Sequence, residues 1–157
     1  MAKRKQIIKV WLGGPVRASG AEFTYRPPLV SVHIASDETW SIESGVLPSH
    51  STKRYSALID TGADYCALDP SVSEEIGARS AGSGLMHNWV GTDEKVVFVQ
   101  IQIVIRPSVG FDAQAALKDF RSQGQPWDVV LGRDFLRYCR LYVDGRAARY
   151  HLHWMGA

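Results

Sequence analysis

An aspartate stands at the end of a short apolar segment and is followed at once by turn residues. Residues 55–59 read YSALI, which is typical of a β-strand, and Asp60, Thr61 and Gly62 come directly after them. A carboxylate at the end of a buried strand must take up a proton, pair with a cation or share a proton with a second carboxylate. We therefore expect acid and base chemistry at Asp60.

Two separate segments resemble the two signatures of retropepsin-like aspartic proteases. Residues 60–64, DTGAD, resemble the active-site loop of that family, in the variant typical of retroviral enzymes. Residues 129–136, VVLGRDFL, are similar to its second signature, in which apolar residues, Gly, Arg and Asn or Asp lead into a short helix. The two segments occur in the order of the family, and the resemblance covers roughly residues 50–154.

The resemblance implies a site that is made by two chains. The Asp-Thr-Gly triplet occurs once in the 157 residues, whereas the chemistry of this family needs two carboxylates that face each other across a water molecule. A homodimer supplies the second Asp60, because a residue beside a twofold axis lies close to its own copy. The implied function is aspartic endopeptidase activity on a peptide or protein substrate, without a metal or another cofactor.

The resemblance implies that residues 60–64 are the catalytic loop, a name used below for this segment, and it also implies roles for the residues around it. In the family, the arginine of the second signature pairs with the acid that ends the first, and a β-hairpin flap closes over the bound peptide. We predict that Arg133 and Asp64 form a buried pair, and that the flap spans two strands near residues 85–105 with its tip near Gly91. The predicted catalytic residues are Asp60, Thr61 and Gly62, the substrate-binding residues are Ala63, Asp64, Trp89, Val90 and Gly91, and the supporting residues are Gly132 and Arg133.

Length and composition indicate one ordinary globular domain over residues 1–157, in which residues 1–50 form an N-terminal extension that the resemblance covers only partly. The chain is 45% hydrophobic and 22% charged, and its net charge of +2 is too small to indicate nucleic-acid binding. The basic start at residues 1–5 is not followed by the apolar run and cleavage site of a signal peptide. We therefore expect a cytoplasmic protein. Because no apolar run approaches the length of a membrane span, we expect no membrane anchor.

Strand signals dominate the chain, which predicts an all-β fold, mainly β with one or two short helices, and the resemblance implies a closed retropepsin-like β-barrel. A helix is predicted over residues 70–76, with Asp69 as N-cap, Pro70 in the first position and Gly77 as its end. A second helix is predicted over residues 112–121, because apolar residues recur there at helical spacing. The predicted strands cover residues 5–12, 29–35, 55–59, 65–68, 85–90, 95–105, 140–143 and 147–154.

Several side chains outside the two signatures have competing interpretations. Cys66 and Cys139 lack the spacing of a metal site and are predicted to be reduced and buried. His151 and His153 share one face of a predicted strand, which indicates a solvated face more than a metal site. Four apolar residues near the C-terminus are candidates for either the dimer interface or the core: Tyr142, Tyr150, Leu152 and Trp154.

Three other functions compete with the protease interpretation. An Asp-x-Gly turn also occurs in the phosphate-binding hairpins of actin-like and sugar kinases, but that fold needs two such hairpins in two domains. Nucleic-acid binding through Lys3, Arg4 and Lys5 is a second possibility, although basic chain ends are commonly just solvated. The main alternative is a catalytically inactive, dimeric peptide-binding or scaffold module of the same fold, because a fold does not guarantee activity.

Overall fold

The computed structural model describes residues 6–11, 16–17, 23–24, 27–36, 53–87, 90–144 and 149–156. This part of the chain is built mainly from β-strands, with two short helices, which confirms the predicted all-β class. The elements are β1 (Gln6–Trp11), β2 (Val16–Arg17), β3 (Phe23–Thr24), β4 (Leu29–Ala35), β5 (Tyr55–Ile59), β6 (Ala67–Leu68), α1 (Pro70–Ile76), β7 (Arg79–His87), β8 (Asp93–Arg106), β9 (Val109–Leu117), β10 (Val129–Leu131), α2 (Arg133–Leu136), β11 (Cys139–Asp144) and β12 (Arg149–Trp154).

Six strands close into a barrel. Their order is β4, β5, β10, β6, β9 and β8, and β4 closes the ring by pairing with both β5 and β8. Strand β10 runs parallel to β5 and antiparallel to β6, so the strand that precedes Asp60 lies directly beside the strand of the second signature. Strand β7 extends the sheet from β8, and the two form a long antiparallel hairpin. A separate antiparallel sheet joins β1, β12 and β11.

Alternation along β5 divides its side chains between two apolar clusters. Ala57 and Ile59 belong to the main core, whose largest fully buried side chains include Phe135, Ile34, Leu68, Ile101, Ile103, Leu131 and Leu152. Leu58 packs instead against a second apolar cluster. The second apolar cluster contains buried Ala67, Val96, Ala116 and Val130, with partly buried Leu58, Ala63, Met86, Phe98, Phe120 and Trp127 around them. Because successive side chains of a strand point to opposite faces, the strands beside the catalytic loop have an apolar surface on each side.

The structure confirms several predicted elements. Strands β4 and β5 have the predicted bounds, and α1 spans residues 70–76 as predicted. The Asp69 side chain accepts a hydrogen bond from the Ser71 N–H, Pro70 occupies the first turn, and Gly77 ends the helix with φ of 63°. Residue 77 must adopt a left-handed conformation, which glycine does without steric penalty.

The predicted helix over residues 112–121 is wrong, because residues 109–117 form strand β9. Asp112 and Gln114 are exposed while Phe111, Ala113 and Ala115 are buried, which is the period of a strand. Strand β9 pairs with β8 on one side and with β6 on the other. Asp112, the predicted helix cap, accepts a cross-strand hydrogen bond from Gln102 Nε2 at 2.8 Å. Tertiary pairing therefore overrides the helical propensity of the alanines.

The C-terminal strand packs mainly inward. Leu152 is fully buried and Trp154 stacks on Phe135 with a centroid separation of 5.7 Å, so both belong to the main core and not to an exposed interface. Tyr150 packs partly against the same core, whereas Tyr142 on β11 is 48% exposed. His151 and His153 are partly exposed, as their alternation predicts. Among the described residues, no helix has the length and hydropathy needed to cross a membrane.

Candidate active site

The catalytic loop is a tight turn fixed at the end of β5. The Ile59 N–H donates to the Pro28 carbonyl at 3.0 Å and the Asp60 N–H donates to the Leu131 carbonyl at 3.1 Å, so the chain is held on both sides where the strand ends. The Gly62 N–H then donates to Asp60 Oδ1 at 2.8 Å. The Asp60 carboxylate is therefore oriented by its own turn, and Thr61 and Gly62 beside it are exposed.

Asp60 follows Leu58 by two residues, which places it on the side of the second apolar cluster. Leu58 and Ala63 flank Asp60 in sequence and both pack against this cluster, as does Met86 of β7. The cluster therefore connects the catalytic loop with the β7–β8 hairpin. Leu58, Ala67 and Val130 were not predicted as residues of this surface, although the alternation along β5 indicates it for Leu58.

The second signature lies directly against the catalytic loop. The Arg133 N–H donates to the Ala63 carbonyl at 2.8 Å, and the Asp134 N–H donates to the Asp64 carbonyl at 3.2 Å. A Cβ atom on Gly132 would lie 2.5 Å from the Tyr65 carbonyl oxygen and 2.9 Å from that of Ala63. Only glycine allows the two backbones to approach this closely, which explains the glycine of the second signature.

Arg133 and Asp64 form the predicted ion pair, between Arg133 Nη2 and Asp64 Oδ1, but the pair is not buried in the single chain. Each side chain is 62% exposed. The prediction of a buried pair is therefore wrong for the isolated subunit. The described part of this chain leaves both side chains largely uncovered.

Arg133→Ala should cost the separate chain less than about 1 kcal/mol of unfolding free energy, because an exposed pair is screened by water. Urea denaturation at protein concentrations low enough to keep the chain monomeric measures this value, with Arg133→Lys as the variant that keeps the charge. A loss of about 3 kcal/mol or more would show that the pair behaves as a buried one even within one subunit.

The partly buried carboxylate of Asp134, whose contacts the sequence did not reveal, holds the segment that follows residues 60–64. Asp134 Oδ2 accepts from the Cys66 N–H at 2.9 Å, and Asp134 Oδ1 accepts from the Cys66 thiol at 3.1 Å and from the Phe135 N–H at 2.8 Å. Burial and the neighbouring Asp134 carboxylate raise the pKa of the Cys66 thiol. Burial alone raises the pKa of Cys139 to about 12. Both cysteines are free, and both thiols keep their protons at neutral pH.

A second polar network holds β5 from the side. Asp128 Oδ2 accepts from the Ser56 N–H at 3.0 Å, and the Asp128 N–H donates to the Ser56 carbonyl at 2.8 Å. Arg121 Nη2 lies 2.8 Å from Asp128 Oδ1. The strand that ends at Asp60 is therefore fixed four residues earlier by contacts from residues far away in sequence.

Asp69 joins this network to α1. Its Oδ2 accepts from the backbone N–H groups of Phe120 and Arg121, each at 2.9 Å. Burial opposes the charged form of Asp69, but hydrogen bonds from Ser71, Arg121 and Phe120 outweigh it and hold its pKa below the ordinary value of 3.8. The resulting stabilisation is present above about pH 4 and is lost as the pH falls through the lowered pKa.

The predicted flap is present as a hairpin, with bounds that differ from those predicted. Strand β7 begins at Arg79 and ends at His87, and β8 begins at Asp93. His87 Nδ1 and Asp93 Oδ1 are 2.8 Å apart at the last rung. Gly91 has φ of 86° and Val90 is 67% exposed. Trp89, a predicted substrate-binding residue, lies outside the described residues.

The structure brings together seven of the predicted site residues. Asp60, Thr61, Gly62, Ala63 and Asp64 form one loop, and Gly132 and Arg133 lie against it. Val90 and Gly91 lie at the far end of the hairpin, and their role toward substrate stays a prediction. Among the described residues, no three His, Cys, Asp or Glu side chains form a group that could hold a metal ion.

Comparison with solved structures identifies the architecture. The crystal structure of a retropepsin-like aspartic protease from Rickettsia conorii matches with a TM-score of 0.52, over 100% of this chain and 99% of that chain. This chain has the retropepsin-like fold. The two sequences are only 12% identical, so the likeness concerns the fold alone. No protein-family model and no curated protein matches the sequence.

Proposed function

We propose that this protein is an aspartic endopeptidase that hydrolyses peptide bonds through a water molecule held between the Asp60 carboxylates of a homodimer. The observation that carries the proposal is the catalytic loop: Thr61 and Gly62 are exposed, Asp60 is partly exposed, and the backbone that follows them, at Ala63 and Tyr65, is fixed against the glycine and arginine of the second signature. This arrangement occurs within a retropepsin-like fold.

The chemistry follows from placing two like charges close together. At a separation of about 3 Å two carboxylates cannot both be ionised at low cost, so the pair holds one proton over a wide pH range. The unprotonated carboxylate accepts a proton from the water as it attacks the peptide carbonyl, while the protonated one donates to the carbonyl oxygen. The water oxygen bonds to the carbonyl carbon directly, which gives a tetrahedral gem-diol. The carboxyl group that took the proton from the water then donates it to the amide nitrogen, the C–N bond breaks, and the amine and the acid leave, so no covalent bond to the enzyme forms.

A homodimer supplies the missing half of the site. Each chain has one Asp-Thr-Gly triplet, and the exposure of Thr61 and of the Asp64–Arg133 pair leaves the loop free to meet a second copy. Gly62 adds no side chain to this surface. A Cβ atom at residue 62 would crowd the carboxylate, because it would lie 3.2 Å from Asp60 Oδ1. We propose that Thr61 hydrogen-bonds across the twofold axis and that the β7–β8 hairpin closes over the bound peptide.

Incubation of the purified protein with a peptide library across acidic and neutral pH tests the proposal. Activity per chain should rise with protein concentration until dimers saturate, because one chain carries half a site. A plot of the rate against pH should be bell-shaped, with its optimum on the acidic side of neutrality. The acid and alkaline limits of this profile belong to the coupled pair of Asp60 carboxylates and not to either one alone. A fully active protein that sediments as a monomer would contradict the mechanism. Peptide binding without any cleavage would identify the protein as the inactive scaffold module instead.

A further inference from the structure

Positive charge is concentrated in the two chain segments that form the separate sheet. Residues 1–11 and 137–157 hold eight of the 18 Lys and Arg residues but one of the 16 Asp and Glu residues, a net charge of +7. Residues 12–136 hold ten basic and 15 acidic residues, a net charge of −5. The small net charge of the whole chain therefore conceals two regions of opposite sign, and a basic region of this kind indicates a polyanionic partner.

The fold brings the two basic segments together. Strand β12 lies between β1 and β11, and the three strands form one antiparallel sheet, called the terminal sheet below. In its register Arg140 stands opposite His153, and Tyr142 stands opposite His151, whose partner on β1 is Lys9. Each strand has six residues, so the sheet is about 10 Å wide and about 20 Å long.

The two faces of the terminal sheet differ in chemistry. Leu152 and Trp154 of β12 belong to the main core, so the residues that alternate with them lie on the opposite face, called the outer face below. The described side chains of the outer face on β11 and β12 are those of Arg140, Tyr142, Asp144, His151 and His153. The acidic member stands at the end of β11, where its register partner is Arg149. None of these described side chains is aliphatic.

Tyr142 gives the outer face an aromatic surface beside its basic groups. Tyr142 is 48% exposed, and its ring packs beside that of His153 with centroids 4.6 Å apart and an interplanar angle of 47°. Arg140, two residues earlier on the same strand, is exposed as well. Nucleic-acid bases stack on exposed aromatic rings, and arginine binds phosphate oxygens. Aromatic rings and cations together on the face of a sheet are typical of surfaces that bind single-stranded nucleic acid.

We propose that the outer face of the terminal sheet binds single-stranded nucleic acid, with a phosphate bound by Arg140 and a base stacked on the Tyr142 ring. This site uses none of the residues of the catalytic loop, so it is a second function, separate from peptide hydrolysis. An anionic membrane would be attracted by the same charge, but the described outer-face residues on β11 and β12 offer no aliphatic group that could enter lipid. An acidic protein segment would use the charge and leave the exposed ring without a stacking partner.

Fluorescence anisotropy with a labelled single-stranded DNA of about 12 nucleotides tests the proposal on the whole protein. Binding should weaken by about tenfold when the salt concentration rises from about 50 mM to about 200 mM, because salt ions compete for the phosphates. Tyr142→Ala should weaken binding by at least about fivefold without changing this salt dependence, because stacking is lost and no charge is removed. Tyr142→Phe should retain binding. Arg140→Gln should weaken binding by about threefold and lower the salt dependence, because one phosphate contact is lost.

Two variants outside the terminal sheet are the matched controls. Tyr65→Ala removes a tyrosine that is 50% exposed, and Lys95→Gln removes a positive charge from β8, where Lys95 stands opposite Leu85. Both proteins should bind the DNA as the wild-type protein does. Binding that ignores Tyr142→Ala, or that falls equally in Tyr65→Ala, would overturn the proposal. Failure of the wild-type protein to bind the DNA at low salt would overturn it as well.

Two other anionic probes distinguish nucleic acid from the competing partners. A labelled polyglutamate peptide and phosphatidylcholine vesicles that contain phosphatidylserine should each bind more weakly than the DNA at the same salt concentration. Tighter binding of either probe would overturn the assignment and identify an acidic protein segment or a membrane surface as the partner. Asp60→Asn should bind the DNA as the wild-type protein does, so the nucleic-acid site and the endopeptidase function can fail separately.

Discussion

Asp60→Asn is expected to abolish peptide hydrolysis at every pH while the fold and the dimer persist. The amide is nearly isosteric with the carboxylate, and its oxygen can still accept the hydrogen bond from the Gly62 N–H. It can neither accept a proton from the attacking water nor share one with its mate. Loss of this group should lower the rate by at least about 10³-fold, and relief of charge repulsion should leave the dimer at least as stable.

The matched control for this variant is Asp112→Asn. Asp112 lies on β9, accepts a hydrogen bond from Gln102, and is outside the proposed site. Cleavage rates of both variants, measured with material free of contaminating protease, should differ by the full expected factor. Cleavage by the Asp60→Asn protein at any pH would show that Asp60 is not the acid and base group.

Gly132→Ala should unfold or severely destabilise the protein, with a loss of about 3 kcal/mol or more. Gly132 has φ of −86° and ψ of −169°, which alanine adopts freely, so backbone strain plays no part. The cost comes from a Cβ atom 2.5 Å from the Tyr65 carbonyl oxygen and 2.6 Å from its carbon. Both atoms belong to backbone, which must shift to relieve the contact, and that shift would displace the catalytic loop.

Gly84→Ala is the control for Gly132→Ala, because a Cβ atom at residue 84 would meet a side chain and not the backbone. A Cβ atom at residue 84 would also meet a neighbour at 3.2 Å, but that neighbour is the ring of Phe98, which can turn. Equilibrium unfolding in urea should show a loss of less than about 1 kcal/mol for Gly84→Ala. Equal stability losses for the two variants would mean that the close approach of the loop and the second signature is not rigid.

Local sequence signals were sufficient to predict an element where the residues at its two ends mark where it begins and ends. Strand β5 is apolar and ends at a turn, and α1 has Asp69 before it, Pro70 in its first turn and Gly77 after it. The contact between residues 60–64 and the second signature was also predictable, because the resemblance to the family implies that Asp64 and Arg133 meet. Their exposure was not, since burial depends on what else covers the pair.

Sequence reasoning was wrong where tertiary pairing decides the conformation. The alanines of β9 favour a helix locally, but β9 fills the place between β6 and β8 and its pairing satisfies the backbone of both neighbours. Strand β7 was recognised only in its last part, because its first half is RSAGSG and contains few residues with a preference for strands.

The polar groups that support the site could not be found from local patterns. Asp128 meets Ser56 across 72 residues of sequence, Asp134 meets Cys66 across 68, and Asp69 meets Phe120 across 51. Each contact depends on the closed barrel, which brings the chain segments together. A single sequence shows only that these aspartates exist, and their hydrogen-bond partners follow from the fold.

Mixing the wild-type protein with the Asp60→Asn protein tests the central claim most directly, because it asks whether one site needs an Asp60 from each of two chains. At equal amounts of the two proteins, allowed to exchange subunits at constant total concentration, random pairing leaves two wild-type chains in about one quarter of the dimers. We predict that activity falls to about one quarter of that of the wild-type protein alone. Activity at one half, in direct proportion to the wild-type chain, would show that each chain works by itself and would contradict the shared site.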